Sequence, residues 1–322
     1  MIHQSNRREF LQRTALAATA IGAVGSTALR TRAEDALPAG GEGKKQAVLK
    51  ISAQEGVVPG KGLSEKLDNM EKWGYVGLEV GGGNLPKRVK ELQDALKGRP
   101  IKLSAICAGF QGWLISDDKE TREKALSSMK EILTAAGELG STGLIIVPAF
   151  NGQKSVPHKQ AREMLTGFTR WDRSNDKART SLLGELGEHA AKAGTRILLE
   201  PLNRDECYFL RTLADGASIC RDVNSPGIAL MGDFWHMTWE ETCDMGAFLS
   251  AGKYLRHVHI ASRKDRKTPG EDGEADNYIN GFKGLKMIGY QDYISLECGC
   301  RGDRSEVIPA AAKLIREQWA KA

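Results

Sequence analysis

Short apolar runs alternate with amphipathic stretches along most of the chain, from about residue 47 to the C-terminus. The runs are rich in Val, Ile and Leu, which is typical of parallel strands buried on both faces. A stretch with helical spacing of its apolar residues follows each run. Eight such units without a break in composition predict an α/β fold, a single (β/α)8 TIM barrel. The predicted strands are Ala47–Ala53, Val76–Val80, Ile101–Ala108, Gly143–Pro148, Arg196–Glu200, Ile228–Asp233, Leu255–Ile260 and Tyr293–Glu297.

An open, doubly wound sheet is the alternative to the barrel. It would require a Gly-rich phosphate loop after the first strand, but residues 54–60 read Gln-Glu-Gly-Val-Val-Pro-Gly and lack the G-x-G-x-x-G spacing. The barrel is therefore favoured. Its predicted helices are Ser64–Trp73, Leu85–Leu96, Glu120–Leu139, Ser181–Ala193, Thr212–Val223, Glu240–Leu249, Asn277–Ile288 and Arg304–Lys321.

One segment interrupts the alternation, from Ala149 to about Asn175. Loops of this length within a compact domain are usually functional or disordered. We expect a lid or a subunit contact rather than a disordered insertion. The oligomeric state is open on the sequence, which is compatible with a homo-oligomer.

The N-terminal segment has the pattern of an export signal. Residues 5–12 read Ser-Asn-Arg-Arg-Glu-Phe-Leu-Gln and precede a mildly apolar stretch over 14–29. This resembles a Tat signal, with a disordered tail or an amphipathic first helix as the alternative. We therefore expect a Tat-type signal peptide over residues 1–33, a linker over 34–45 and the barrel over 46–322. The corresponding location is periplasmic or extracellular.

The net charge of the whole chain is +5, but residues 1–33 contain five Arg and one Glu. Without that segment the charge falls to +1, so a nucleic-acid partner is not expected. No apolar run is long enough for stable membrane insertion after the signal is removed. The six cysteines include no CxxC pair, so their spacing assigns no zinc ribbon and no disulfide.

Four consecutive predicted strands end in side chains that can bind a metal: Glu200, Asp233, His259 and Glu297. Active sites of barrels lie at the carboxyl ends of the strands, and consecutive strands are neighbours. Each residue alone is explained as an ordinary polar residue at the start of a loop. Four in consecutive strands instead predict one divalent-metal site.

Three carboxylates and one imidazole form an oxygen-rich set of ligands. Such a set favours Mn²⁺, with Mg²⁺, Co²⁺ or Zn²⁺ as alternatives. A catalytic metal with open positions can polarise the carbonyl of a hydroxy-carbonyl compound and stabilise an enediolate. Glu200 and Glu297 would flank the bound sugar and act as the acid/base pair.

Three segments resemble the xylose isomerase-like TIM barrel superfamily, in its branch of ketose 3-epimerases and hydroxypyruvate isomerases. They are Glu200–Glu206 (Glu-Pro-Leu-Asn-Arg-Asp-Glu), Asp233–Met237 (Asp-Phe-Trp-His-Met) and His257–Ala261 (His-Val-His-Ile-Ala). The resemblance spans about Ala47 to Trp319. It implies a metal-dependent isomerase or epimerase acting on a small sugar.

The resemblance also implies roles for single residues. Glu200, Asp233, His259 and Glu297 match the positions that bind the metal, and the two glutamates match the groups that move protons on opposite faces of the substrate. Glu206 and His236 match residues that contact substrate oxygens. The arginine that follows the seventh strand in the family corresponds best to Arg266, although Ser262 stands where the family commonly has Asp and the segment is one residue longer.

Three other functions are consistent with parts of this pattern. A lyase or dehydratase would use the same enediolate to expel a leaving group from a keto-sugar or keto-glycoside. A trinuclear-zinc DNA-repair endonuclease would need further histidines, and the third strand has none. A non-catalytic sugar-binding barrel would not need an intact acid/base pair.

Further polar residues have both structural and functional interpretations. His257 shares a strand face with His259, and we expect it to pack in the barrel rather than to bind the metal. Glu79 is a candidate for a substrate contact or a structural hydrogen bond, and Trp113 for an apolar wall or loop packing. Cys298 and Cys300 are expected to be small loop residues rather than ligands.

Overall fold

A computed structural model of the chain describes residues 45–168 and 181–322. Eight parallel strands in these residues form a closed barrel in sequence order, and β1 pairs with β8. This confirms the predicted single (β/α)8 barrel. The strands are β1 (Lys50–Gln54), β2 (Gly77–Gly81), β3 (Lys102–Cys107), β4 (Leu144–Ile146), β5 (Ile197–Leu199), β6 (Ile228–Asp233), β7 (Leu255–Ile260) and β8 (Tyr293–Leu296).

The strands alternate with helices whose apolar residues contribute to one large core. None of these helices combines the length and the apolar character that a membrane crossing requires, within the described part of the chain. The helices are α1 (Leu63–Lys72), α2 (Leu85–Leu96), α3 (Lys119–Glu138), α4 (His158–Thr166), α5 (Leu182–Lys192), α6 (Leu213–Val223), α7 (Phe234–Glu240), α8 (Asp244–Ala251), α9 (Ile279–Met287) and α10 (Arg304–Lys321).

Helix α4 corrects the prediction of a continuous loop after the fourth strand. Ala161 and Leu165, one helical turn apart, are both buried. Packing of this pair against the core stabilises a helix of only nine residues, which is too short to show a clear period in the sequence. The end of the predicted loop, residues 169–175, lies outside the described residues. So do the predicted signal peptide and all of the predicted linker except Lys45.

Helix α7 corrects a second prediction, that of a single helix over Glu240–Leu249. The structure has α7 ending at Glu240 and a separate α8 beginning at Asp244. The Asp233 side chain caps α7, because its Oδ1 accepts a hydrogen bond of 2.8 Å from the backbone N–H of Trp235. A side chain at the end of β6 therefore starts a helix, and this sets the position of the residues that follow it.

The buried residues of the strands form two unlike groups. One is an apolar cluster from β3 to β6, consisting of Ala105, Ile145, Leu198, Ala229 and Met231. The other is a set of buried polar side chains from β1, β2, β7 and β8, consisting of Ser52, Glu79, His257, His259 and Ser295. Met231 and Leu198 each lie two residues before a predicted metal ligand, so they share its strand face, one layer deeper. Beneath the predicted ligands, the barrel interior is thus apolar on the side of β3 to β6 and polar on the side of β7, β8, β1 and β2.

Two register shifts of one residue interrupt the regular strand pairing. Between β2 and β3 the shift leaves Ser104 as the extra residue, and between β6 and β7 it leaves Arg256. Each shift changes which following side chains face the same way as those of the neighbouring strand. Glu79, His257 and His259 all lie beyond these shifts.

Candidate metal centre and active site

Four side chains converge at the carboxyl ends of β5 to β8. Glu200 directly follows β5, Asp233 ends β6, His259 lies within β7 and Glu297 directly follows β8. One ligand atom of each lies within 4.8 Å of those of the other three. Asp233 and His259 are fully buried and Glu200 nearly so, whereas the Glu297 side chain is 21% exposed. The structure thus brings together the four residues that the sequence predicts as metal ligands.

The orientation of the His259 ring leaves one nitrogen facing the carboxylates. Both Glu79 oxygens lie 3.0 Å from His259 Nε2, so this nitrogen carries a proton and donates it. His259 Nδ1 lies 3.0 Å from Glu297 Oε2 and 3.6 Å from Glu200 Oε1 but has no hydrogen-bond partner among the described residues. Two carboxylates beside this nitrogen require a positive charge there. Either a proton on Nδ1 or a metal ion held by Nδ1 and the carboxylates meets that requirement.

The two glutamates lie in opposite electrostatic environments. Burial raises the pKa of the Glu200 carboxyl, and the nearby Glu297 charge adds to this effect. Burial also acts to raise the pKa of Glu297, but the imidazole of His259 and the guanidinium of Arg266 outweigh it and lower this pKa to about 2. Glu297 therefore has positive partners within the chain. Glu200 Oε1 has no hydrogen-bond partner in residues 45–168 and 181–322, which is consistent with a bound cation as its missing partner.

The oxygens of Asp233 divide between two tasks. Oδ1 caps helix α7, whereas Oδ2 lies 3.6 Å from His236 Nε2 and 3.3 Å from Arg266 Nη2. Three carboxylates and one imidazole at this spacing fit Mn²⁺, Mg²⁺, Co²⁺ or Zn²⁺. The donor set therefore fits one divalent cation held by Glu200, Asp233, His259 and Glu297.

Glu79 forms the layer beneath the candidate ligands. Its fully buried carboxylate accepts hydrogen bonds from His257 Nε2 at 2.8 Å, His259 Nε2 at 3.0 Å and Gln54 Nε2 at 2.9 Å. Burial acts to raise the pKa of Glu79, but the two histidines outweigh it and hold this pKa well below its usual value. The structural hydrogen bond is thus the interpretation that the contacts of Glu79 support, because its buried carboxylate is occupied by these three donors. His257 packs in this layer, as its strand position predicts.

Replacing Glu79 with Gln is expected to lower the affinity for Mn²⁺ by about 10- to 100-fold. The amide can accept only through one oxygen, and its NH₂ group would face an imidazole N–H, so the His259 ring loses its fixed orientation. Isothermal titration of the metal-free protein with Mn²⁺ measures this effect. Glu241→Gln is the matched control, since Glu241 accepts a backbone hydrogen bond from Leu213 and is not one of the candidate ligands. Equal Mn²⁺ affinity in both variants would contradict the orienting role.

The predicted substrate contacts Glu206 and His236 are joined through Asn203. The backbone N–H of Asn203 donates to His236 Nδ1 at 3.2 Å, so the ring proton lies on Nε2. The Asn203 side-chain amide donates to Glu206 Oε1 at 3.2 Å. His236 Nε2 is buried and, within the part of the chain that the structure describes, has no hydrogen-bond partner. It therefore remains available to donate to an oxygen of a substrate bound beside Asp233.

Arg266, the third predicted substrate contact, reaches the candidate ligands themselves. Its Nη2 lies 2.6 Å from Glu297 Oε2 and 3.3 Å from Asp233 Oδ2. The guanidinium stacks over the Trp235 ring, 4.6 Å from its centre. Arg266 thus supplies a positive charge beside the candidate ligands. It comes from the loop after β7 and not from the end of a strand.

Sequence reasoning identified the strand ends of β5 to β8 but missed Gln54 and Asn203. Gln54 is the last residue of β1, so the rule that strand ends carry site residues applies to it as well. Asn203 lies within the Glu200–Glu206 segment that carries the family resemblance. Its linking of Glu206 to His236 depends on a contact between the loop after β5 and helix α7.

Comparison with characterised proteins gives matches over most of the chain. The sequence is 31% identical over 257 residues to 3-dehydro-D-guloside 4-epimerase of Escherichia coli (strain K12), which covers 79% of this chain and 94% of that protein. It is 29% identical over 242 residues to L-ribulose 3-epimerase of Mesorhizobium japonicum, covering 74% and 73% of the two chains.

Solved structures agree with this result. The apo crystal structure of 3-keto-D-glucoside 4-epimerase from E. coli superposes with a TM-score of 0.70 at 27% identity, covering 84% of this chain and 100% of that one. D-psicose 3-epimerase from Clostridium cellulolyticum H10, solved with D-tagatose, also gives 0.70, over 84% and 99% of the chains. At 22% identity this second match shows the fold alone.

A family profile provides the assignment. The profile described as "Xylose isomerase-like TIM barrel" matches residues 67–318, which include every residue of the candidate metal centre. The resemblance seen in the sequence motifs is thereby confirmed at the level of the family. This chain belongs to the xylose isomerase-like TIM barrel family.

Proposed function

We propose that this protein is a metal-dependent sugar epimerase that inverts a carbon next to a ketone. The observation that carries the proposal is the convergence of two glutamates, Glu200 and Glu297, on one candidate cation site. Paired carboxylates at a Lewis-acid site suit proton removal from a carbon that is only weakly acidic. The matched relatives are named epimerases, which supports an isomerase rather than a hydrolase or a nuclease.

The chain's own residues account for the proton movements. One glutamate removes the proton from the carbon next to the carbonyl, and the other delivers a proton to the opposite face, so the proton balance is zero. We assign the contacts with substrate oxygens around this carbon to His236 Nε2–H, Glu206 and Arg266, supported by the free ring nitrogen of His236 within the described residues. Burial of the site excludes water that would compete for the polar contacts.

Glu200, Asp233, His259 and Glu297 would hold the metal. When bound, the divalent cation supplies Lewis-acid polarisation of the carbonyl, which acidifies the adjacent C–H. Mn²⁺ is the cation we propose, because the set has three oxygen donors and one nitrogen donor.

The proposed substrate class is a keto-sugar, with keto-glycosides first. A 3-dehydro-glycoside that epimerises at C4 and a ketose that epimerises at C3 both invert the carbon beside a ketone. These are the reactions named for the relatives matched here. One arrangement of two glutamates and a metal therefore serves both classes.

The test is incubation of the purified protein with Mn²⁺ in D₂O and a panel of free ketohexoses and 3-keto-glycosides, followed by NMR. We expect deuterium at the carbon next to the ketone, together with the inverted epimer. Absence of exchange with every compound would overturn the proposal. Release of water or of an aglycone would instead show a lyase.

We also propose that the chain is exported by the Tat pathway to the periplasm or beyond, with residues 1–33 as the signal. Replacing both Arg7 and Arg8 with Lys is expected to retain the full-length chain in the cytoplasm. Cell fractionation and immunoblotting measure this, and Arg13→Lys in the same segment is the matched control. Unchanged export of the double variant would count against the signal.

A further inference from the structure

Gln54 contacts the predicted base Glu297 and the buried Glu79 at the same time. Its Nε2 lies 3.0 Å from Glu297 Oε1 and 2.9 Å from Glu79 Oε1. Both partners are carboxylate oxygens, which accept these hydrogen bonds. The NH₂ group of Gln54 therefore points at them, and its two hydrogens are both committed. Glu79 is in turn held by hydrogen bonds from His257 and His259, so its own hydrogen bond from Gln54 fixes the position of the Gln54 amide.

This arrangement gives the two oxygens of Glu297 different surroundings. Oε2 lies 3.0 Å from His259 Nδ1 and 2.6 Å from Arg266 Nη2, on the side of the candidate cation site. Oε1 lies against Gln54 and 3.8 Å from the Cys107 thiol, which donates to it. The carboxylate plane is thus fixed by contacts at both oxygens.

A cavity opens on the Oε1 side. Its volume is about 410 Å³, and its lining includes Gln54, Glu55, Cys107 and Glu297. The two side chains that contact Oε1, Gln54 and Cys107, both line this cavity, whereas Arg266 and His259, which contact Oε2, are not among its lining residues. Glu200 has no comparable support, because its Oε1 is buried and has no hydrogen-bond partner in the described part of the chain.

We propose that Gln54 is a positioning residue that holds Glu297 Oε1 towards this cavity as the oxygen that exchanges the proton with the substrate. The inference rests on the proposed epimerase function. It adds that the two glutamates depend on different supports, so loss of Gln54 impairs proton transfer on one face of the substrate only. Gln54 acts through Glu297 and does not itself take the proton.

The test variant is Gln54→Leu, which keeps the approximate size of the side chain and removes both donors. At saturating Mn²⁺ we expect kcat to fall about 100-fold, the size of effect that a misplaced catalytic group produces, with KM little changed. Ser52→Ala is the matched control. Ser52 lies two residues earlier on the same face of β1 and bonds to Ser104, away from Glu297.

The decisive readout is the ratio of deuterium exchange to inversion, measured in D₂O from each of the two epimers. For the epimer whose C–H faces Glu200, proton removal stays intact while delivery from Glu297 is slow, so exchange without inversion increases. For the epimer whose C–H faces Glu297, exchange and inversion slow together. Equal changes for both epimers would show a general structural defect and overturn the inference.

Mn²⁺ binding gives a readout that does not depend on turnover. The affinity of Gln54→Leu should stay close to that of the natural chain, since all four candidate ligands remain. A large loss of affinity, with full activity restored at high Mn²⁺, would make Gln54 a support for metal binding and overturn the positioning role. If the natural protein exchanges no compound of the panel, the proposed function itself fails. If it does exchange and Gln54→Leu matches it, only the role of Gln54 fails.

Discussion

Glu297→Gln and Glu200→Gln are each expected to abolish exchange of the substrate C–H that faces the replaced glutamate and to lower kcat for inversion by about 10³-fold or more. Loss of one general base alone costs about 10²- to 10⁴-fold. Each substitution also replaces an anionic metal ligand with a neutral amide of nearly the same shape. In Glu297→Gln, the amide NH₂ would face either the Gln54 NH₂ group or the Arg266 guanidinium, both of which are donors.

The measurement is deuterium incorporation by NMR at saturating Mn²⁺, from both epimers of the substrate. Glu241→Gln serves again as the control, because Glu241 follows the last residue of α7 and contacts the backbone of Leu213. Wild-type rates of inversion in either active-site variant would refute the two-glutamate mechanism. Undiminished exchange from both epimers in one variant would show that the remaining glutamate serves both faces.

Removing the metal is expected to abolish activity and to lower the melting temperature, and adding Mn²⁺ should restore both. Without the metal ion, the three carboxylates of Glu200, Asp233 and Glu297 repel one another, and Arg266 and His259 are the positive groups that contact them. A ligand that binds only the folded state stabilises it by about 2.7 kcal/mol at 100 times its Kd. Calorimetry with chelator and then with Mn²⁺ measures the effect.

Asp233→Asn is the sharpest control for this experiment. The amide oxygen of Asn can still accept the hydrogen bond from Trp235 that caps α7, so the helix start is preserved. The substitution removes a charge from the candidate ligand set. We therefore expect a folded protein whose melting temperature no longer rises with Mn²⁺. A full Mn²⁺ response in Asp233→Asn would place the metal elsewhere.

Local pattern and the order of the strands were sufficient to predict the barrel and the centre of its site. Alternation of apolar runs and amphipathic stretches defined the barrel, and the rule that neighbouring strands are consecutive brought Glu200, Asp233, His259 and Glu297 together. Contacts that depend on closure of the barrel, or on a loop meeting a helix, could not be predicted in this way. Gln54 on β1 meets Glu297 after β8 across the closing pair of strands, 243 residues apart in sequence.

Short helices were also difficult to predict. The seven-residue α7 has no helical period of its own and forms because Asp233 caps it and Phe234 packs on Phe248 and Phe282. The same carboxylate serves as a cap and as a candidate ligand, and the sequence shows only one Asp at a strand end. Only the folded structure shows that Oδ1 caps the helix while Oδ2 faces His236 and Arg266.

The register shifts at Ser104 and Arg256 have a consequence for any attempt to transplant this site. In a barrel of ideal, unshifted strands that kept Arg256, Arg256 would pair with Met231 and His257 with Gly232, so the rest of β7 would be displaced by one residue relative to β6. Because strand side chains alternate, His257 and His259 would then turn towards the surrounding helices. Copying the visible side chains onto a designed scaffold is therefore insufficient. The register shifts at Ser104 and Arg256 must be reproduced together with the side chains.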